Sequence, residues 1–263
     1  MDAAAQDELA AYFCALHRPS DPVIMCNVYD AATAIIIASK RSAKAVATAS
    51  NAVAAVQGAE DDCLTLEENL AGVKTIAPIA IRAGKPLTVD IQDGYGERLD
   101  EAIEAIIKLG AVGCNLEDQQ PRTGTLLPLA EAVKRVERAV AVAARCGVPR
   151  FHVNARTDVL LRGGTTSEAI ERGRAYLTAG AGTVFVWGGP GRRTLSSVEI
   201  EALVDAFEGR LNIMLTTEPG NLTVADLSQL GVARISVGPG LLRVAMRAYE
   251  EAADELLGSG DKP

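Results

Sequence analysis

The feature that most limits how this chain can fold is an alternation along its whole length. Short, nearly all-apolar, β-branched runs are each followed by a longer Ala/Leu/Glu-rich stretch. Apolar runs of this kind suit strands buried on both faces, as in parallel sheets covered by helices. They fall near residues 23–28, 45–48, 87–91, 112–116, 151–155, 183–186, 213–215 and 235–237. Helical stretches follow near 31–40, 66–83, 99–108, 129–145, 167–179, 197–207, 223–229 and 241–257, and another at 4–16 precedes the first strand. Eight strand–helix units predict a closed (β/α)8 TIM-type α/β barrel with an extra N-terminal helix and C-terminal helix.

Punctuation agrees with this pattern. Gly84, Gly110, Gly147, Gly180 and Gly231 each stand where a helix should end before a strand. Thr65 with Glu68 forms a capping-box pair, and Thr166 with Ser167 marks the start ahead of Glu168. A length of 263 residues is about what one barrel needs, and no Pro/Gly/Ser-rich linker divides it. The expectation is a single domain over 1–263, with 1–20 as the N-terminal helix and 239–263 as the C-terminal helix and tail.

Composition excludes several functions. Against 26 Lys+Arg stand 34 Asp+Glu, a net charge of −8 with no basic stripe, which argues against a nucleic-acid partner. No apolar window is long enough to span a membrane. Residues 1–9, with Asp2, Asp7 and Glu8, lack the basic start and apolar stretch of a signal peptide, so a cytoplasmic location is expected. Cys14, Cys26, Cys63, Cys114 and Cys146 are odd in number and irregularly spaced, which suits neither a disulfide framework nor a zinc site.

In such a barrel the chemistry sits at the carboxyl ends of the strands. There the sequence places Asp90-Ile91-Gln92-Asp93-Gly94-Tyr95-Gly96, then Glu117-Asp118-Gln119, then Asn154-Ala155-Arg156-Thr157-Asp158. Alone, the first would read as a turn, the second as a helix entry and Arg156 as an ion-pair partner. Together, at successive strand ends, they converge on one mouth. Carboxylates held close repel one another unless a cation lies between them, and oxygen-only ligands favour Mg²⁺ or Mn²⁺. Arg156 supplies a planar fork for a substrate carboxylate. His152 shares the inward phase of Asn154 and Arg156 and reads as a packed core histidine. Cys114 reads as packing, and Gly188 to Arg193 as a flexible loop.

These motifs, in this order and spacing, resemble the isocitrate lyase and phosphoenolpyruvate mutase superfamily. The likeness runs from Asn27-Val28-Tyr29-Asp30-Ala31 to the Gly231–Gly238 stretch. It implies an enzyme: a barrel that binds Mg²⁺ and a small 2-oxo or 2-hydroxy acid, in a homo-oligomer, dimer or tetramer, whose C-terminal helix is exchanged with a neighbour. It also implies roles. Asp90 would be the direct metal ligand, Asp61 and Glu117 would hold metal-bound waters, and Gln92 stands where the family's further acidic metal residue would be. Ser50 and Asn51 match the segment that binds the anionic end of the substrate. Arg156 matches the grip on the pyruvyl carboxylate, and Tyr29 lines the pocket; Arg156, Glu117 and Tyr29 are the catalytic candidates. Thr217 and Glu218 resemble the Thr-Glu of the C–C lyases, and Trp187 stands where those members often have glutamate, which suggests a smaller or more apolar pocket; by this resemblance all three are substrate-binding candidates.

The departures are specific. Lyases of this superfamily carry a Lys-Arg-Cys-Gly-His loop; here residues 120–128 are short, with no cysteine and no mutase-type asparagine. Gln92 removes one negative charge from the metal site, and Ala52 puts a Cβ where glycine is usual. The first expectation is a Mg²⁺-dependent lyase that makes or breaks a C–C bond through an enolate. The alternatives are P–C chemistry of phosphonopyruvate type, hydrolysis of an oxaloacetate-like acid, and a non-catalytic carboxylate-binding barrel.

Overall fold

The computed structural model describes residues 1–189, 195–216 and 221–258. Nine parallel strands form one sheet: β1 (Val23–Met25), β2 (Asn27–Val28), β3 (Val46–Thr48), β4 (Leu87–Asp90), β5 (Gly113–Glu117), β6 (His152–Thr157), β7 (Thr183–Val186), β8 (Leu211–Met214) and β9 (Arg234–Ser236). Their order is β1-β9-β8-β7-β6-β5-β4-β3-β2. Only Cys26 separates β1 from β2, so the two ends of the sheet are one stave and the sheet closes as a (β/α)8-type barrel.

The first expected strand is thus broken in two, for a local reason. Val23 to Met25 pair with β9, whereas Asn27 and Val28 pair with β3. At the break the Asn27 side chain replaces ladder bonds on both sides. Its Nδ2 donates to the Thr48 carbonyl at 2.7 Å, and its Oδ1 accepts from the backbone N–H of Val237 at 3.1 Å and Gly238 at 2.9 Å.

Ten α-helices are described: α1 (Ala3–Ala15), α2 (Ala31–Ser39), α3 (Ser50–Gln57), α4 (Leu66–Arg82), α5 (Leu99–Lys108), α6 (Leu129–Arg145), α7 (Thr166–Thr178), α8 (Ser197–Ala206), α9 (Val224–Gln229) and α10 (Gly240–Leu257). The Thr65–Glu68 box caps α4 as expected, but the cap of α7 is Thr165, one residue earlier than the sequence suggested. α3 is the unforeseen helix. It packs Ala52, Val53 and Ala54 inward and stops at Gly58, whose φ of 74° is the left-handed cap that glycine adopts without a Cβ clash.

Register makes alternate residues of each strand face the interior, and many of them are polar: Asn115, Asn154, Thr183, Asn212, Arg234 and Ser236 are all buried. α1 closes the amino-terminal end of the barrel. Phe13 is fully buried there, and His17 stacks on His152 with ring centroids 3.9 Å apart. His152 therefore faces inward, as its phase suggested, yet lies at the floor, bonded to Thr183 Oγ1 at 3.0 Å. Cys114 is fully buried packing. No described helix is long and apolar enough to cross a membrane.

Candidate active site

The carboxyl ends of β4, β5 and β6 bring Asp90, Glu117 and Arg156 together. Glu117 and Arg156 are register partners, and Asp90 is paired with Asn115, two residues below Glu117. Equal register in parallel strands points these side chains the same way.

Arg156 is locked in place. Its Nε and Nη2 donate to the two oxygens of Asp158 at 2.7 and 2.9 Å, and its Nη1 donates to Glu117 Oε1 at 2.8 Å. Trp187 lies under the guanidinium, 4.2 Å from ring centre to Cζ, and Phe185 flanks it at 5.6 Å. Burial opposes the charge, but Asp158 and Glu117 outweigh it and hold the guanidinium protonated more firmly than usual. Trp187, expected to shape the pocket, therefore also fixes the plane of this cation. Asp158, fully buried, belongs to the motif that ends β6 and takes no role of its own in the sequence reading. Its spacing of two from Arg156 on one strand was the available signal.

Asp90 is held by backbone. Ser50 N–H, in the first turn of α3, donates to its Oδ2 at 3.0 Å, so a helix N-terminus faces a carboxylate. Ser50 also places its hydroxyl on Asp61. Asn51, expected beside it as a substrate contact, is exposed. Asp61 sits in a 3-10 turn, Asp61–Cys63. Burial pushes its carboxyl upward and Asp90 pushes it further, against the pull of Ser50, Arg156 and Gln92. Burial likewise raises Glu117 well above the ordinary carboxylate range; Arg156 opposes this, while Asp158, Asp90 and Asp61 add to it. The three acids thus feel one another.

Gln92 adopts a left-handed backbone, φ 51°, which costs a non-glycine residue about 1–3 kcal/mol. That conformation lets its N–H reach Asp90 Oδ1 at 3.3 Å while its side-chain Nε2 donates to Asp61 Oδ1 at 3.1 Å and to the Asp61 carbonyl. Expected as a weak metal ligand, Gln92 ties two carboxylates together. Asn69, also unforeseen, supports it from α4 by donating to the Asp90 carbonyl at 2.8 Å. Tyr29, just past β2, is buried at 6% exposure, and burial raises its phenol.

Asp118, the neighbour of Glu117, faces the other way. It accepts from Asp158 N–H, Tyr176 Oη and Arg172 Nη1 at 2.9, 2.7 and 3.1 Å and is an anchor for the strand ends. Beside Gln92 opens a cleft of about 410 Å³ between the 3-10 turn and the loop after β5, lined by Cys63, Gln92, Asp93, Arg98, Arg122 and other residues. That loop is a tight turn, with Gln120 N–H on the Thr125 carbonyl at 3.0 Å. Thr217 and Glu218, expected in the pocket, and the Arg192-Arg193 pair lie outside the described residues.

Among the described residues no three His, Cys, Asp or Glu side chains converge as direct ligands of one ion. Mg²⁺ does not require that, because it commonly keeps several waters and takes one or two carboxylates. Asp90 as direct ligand, with Asp61 and Glu117 reached through water, would be a donor set of that kind.

Residues 13–257 match the family described as phosphoenolpyruvate phosphomutase. An uncharacterized protein of Mycobacterium tuberculosis is 30% identical over 230 residues, 85% of this chain and 80% of its own. A Corynebacterium glutamicum protein named probable 2-methylisocitrate lyase 1 is 30% identical over 201 residues, 70% of this chain and 64% of that one. A solved structure from Burkholderia cenocepacia J2315, provisionally named a phosphonomutase, superposes with a TM-score of 0.84 at 37% identity, covering 94% of this chain and 99% of that one. With ordered motifs, barrel and mouth in agreement, the chain belongs to the phosphoenolpyruvate phosphomutase family, within the isocitrate lyase/PEP mutase superfamily of lyases and mutases.

Proposed function

We propose that the protein is a lyase of small 2-oxo or 2-hydroxy carboxylic acids, dependent on Mg²⁺ or Mn²⁺, that makes or breaks a C–C bond next to the oxo group. The observation that carries this reading is the mouth itself: three mutually repelling acids beside one immobilised guanidinium. A divalent ion held by Asp90, with Asp61 and Glu117 on its waters, would draw electron density from a substrate oxygen. Arg156 spends three N–H hydrogens on Asp158 and Glu117 and keeps two for the substrate carboxylate. Because its plane is already fixed by Trp187, little entropy is lost when that carboxylate binds. In this proposal Tyr29, a phenol that is protonated at neutral pH, donates a proton at the pocket edge. Ser50, Thr217 and Glu218 complete the substrate end in this proposal, and Asn51 is its weakest member.

A second reading is P–C chemistry of phosphonopyruvate type, favoured by the likeness to the Burkholderia cenocepacia protein. We also propose a cytoplasmic homo-oligomer built from one domain. On α10 only Leu242 is buried, while Val244, Met246, Tyr249, Leu256 and Leu257 are exposed, a face suited to a neighbouring copy.

Calorimetry with Mn²⁺ and then oxalate, which imitates the enolate of pyruvate, tests the main proposal. Both should bind wild type, and Asp90→Ala and Arg156→Ala should each weaken oxalate at least about 100-fold. Absence of wild-type binding, or variants that bind equally well, refutes it. Product mass spectrometry on a panel of oxo, hydroxy and phosphono acids then separates the two chemistries.

A further inference from the structure

Arg234 is the largest of the fully buried side chains, at 1% exposure. It stands on β9, and its Nη2 donates to Asn115 Oδ1 on β5 at 3.2 Å. These strands are not neighbours in the sheet, so the side chain crosses the barrel interior. Its Nε and Nη1 have no partner among the described residues, and no carboxylate there lies within 4.0 Å. A guanidinium buried with one hydrogen bond costs stability; a well-packed apolar side chain of similar volume would be neutral or better. Fold maintenance therefore does not account for it.

What Arg234 does supply is charge and direction. Arginine has donors and no acceptor, so the Asn115 atom facing it must be the oxygen. That oxygen also accepts from Asn154 Nδ2 at 2.8 Å, and Asn154 is set in turn by Thr183, which donates to its Oδ1 at 2.6 Å. With Oδ1 held from below and from the side, the Asn115 NH₂ is turned the other way. Asn115 is the register partner of Asp90 and lies two residues below Glu117, at the floor of the mouth. Burial pushes the Arg234 guanidinium down to about 10, and Asp90 works against that fall, so the group stays charged at neutral pH.

We infer that Arg234 is a positioning residue for the anionic substrate: a fixed positive charge beneath the pocket that, through Asn115, presents an N–H donor to the substrate's oxo group. This rests on the metal-and-oxo-acid reading above. It also gives the pocket two positive faces, the metal on the acid side and Arg234 with Asn115 on the floor. An oxygen that gains negative charge during reaction is then met from both.

A buried cation repels a metal and attracts an anion, so removing it must move the two ligands in opposite directions. Arg234→Gln keeps a donor toward Asn115 and deletes the charge. We expect Mn²⁺, measured alone by electron paramagnetic resonance, to bind on the order of tenfold more tightly, and oxalate, measured at saturating Mn²⁺, about tenfold more weakly. Arg234→Lys should restore both toward wild type. Damage to the fold would weaken both together, and that outcome, or no change in either, overturns the inference. Should the Gln variant fail to fold, Asn115→Ala decides: oxalate should weaken with Mn²⁺ unchanged, and unchanged oxalate overturns it. Wild type that binds neither ligand refutes the metal-and-oxo-acid reading first, and this inference with it.

Discussion

Glu117 and Asp118 are adjacent acids with opposite tasks, and replacing each by its amide should separate them. Asp118 is 3% exposed and accepts three hydrogen bonds, from Asp158 N–H, Tyr176 Oη and Arg172 Nη1. In Asp118→Asn one acceptor becomes an NH₂ that faces donors, and Arg172, with its side chain 14% exposed, loses its counter-charge. Breaking one side of a buried pair costs about 3–5 kcal/mol; allowing for the part of Arg172 that water still reaches, we expect about 2–4 kcal/mol. For a chain of this size each kcal/mol lowers Tm by about 2–4 °C, so the variant should melt roughly 5–15 °C earlier. Glu117→Gln should do the reverse. Its oxygen can still accept from Arg156, and burial without charge is cheaper, so Tm should stay within about 2 °C while Mn²⁺ and oxalate binding fall. Differential scanning fluorimetry and calorimetry on the two variants give the comparison. Equal melting points for Asp118→Asn and wild type would refute the assignment of Asp118 as the anchor.

Three further outcomes are expected. Arg156→Lys keeps a charge but loses the two-pronged contact with Asp158 and the stack on Trp187, so oxalate should bind at least about 10-fold more weakly by calorimetry. Gly113→Ala would push a Cβ to 2.7 Å from the His152 carbonyl oxygen, backbone that cannot swing aside, and should cost about 1–3 kcal/mol in urea unfolding. The two histidines make folding acid-sensitive. Burial lowers His152 well below its ordinary value and pushes His17, whose ring nitrogens are enclosed, down to about 3. Below about pH 6.5 the unfolded chain binds protons that the folded chain refuses, so stability falls as pH drops, by up to about 1.4 kcal/mol per pH unit for each histidine. Melting curves from pH 7.5 to 5 should show this slope less the opposing proton uptake of the raised Glu117 carboxyl, and His17→Phe should make it shallower by up to about 1.4 kcal/mol per pH unit.

Much of this molecule is legible in its sequence, because parallel strands and their helices leave separate periodic marks. All eight staves fall where the apolar runs lie, and period two correctly turns His152, Asn154 and Arg156 to one side. The reading failed where side chains replace backbone. Asn27 satisfies both neighbours of a broken strand, which no periodicity reveals. Residues 50–57, with Ser and Asn at their start, fall in none of the expected helical stretches, although Ala52 to Ala54 bury one face of a helix. Asp158 and Asn69 act by holding other site residues, and Arg234 stands one residue ahead of the apolar run that marks β9. Such partners depend on which strands face one another across the barrel, information that spacing along the chain does not contain.

The Asn27 clasp bears on how the molecule is made. Its bonds to Val237 and Gly238 join residues 210 and 211 positions apart, so the final seam cannot form until the chain through Gly238 has left the ribosome. Until then the first stave and β8 both present open edges, the state in which a half-built barrel is most prone to pair with another chain.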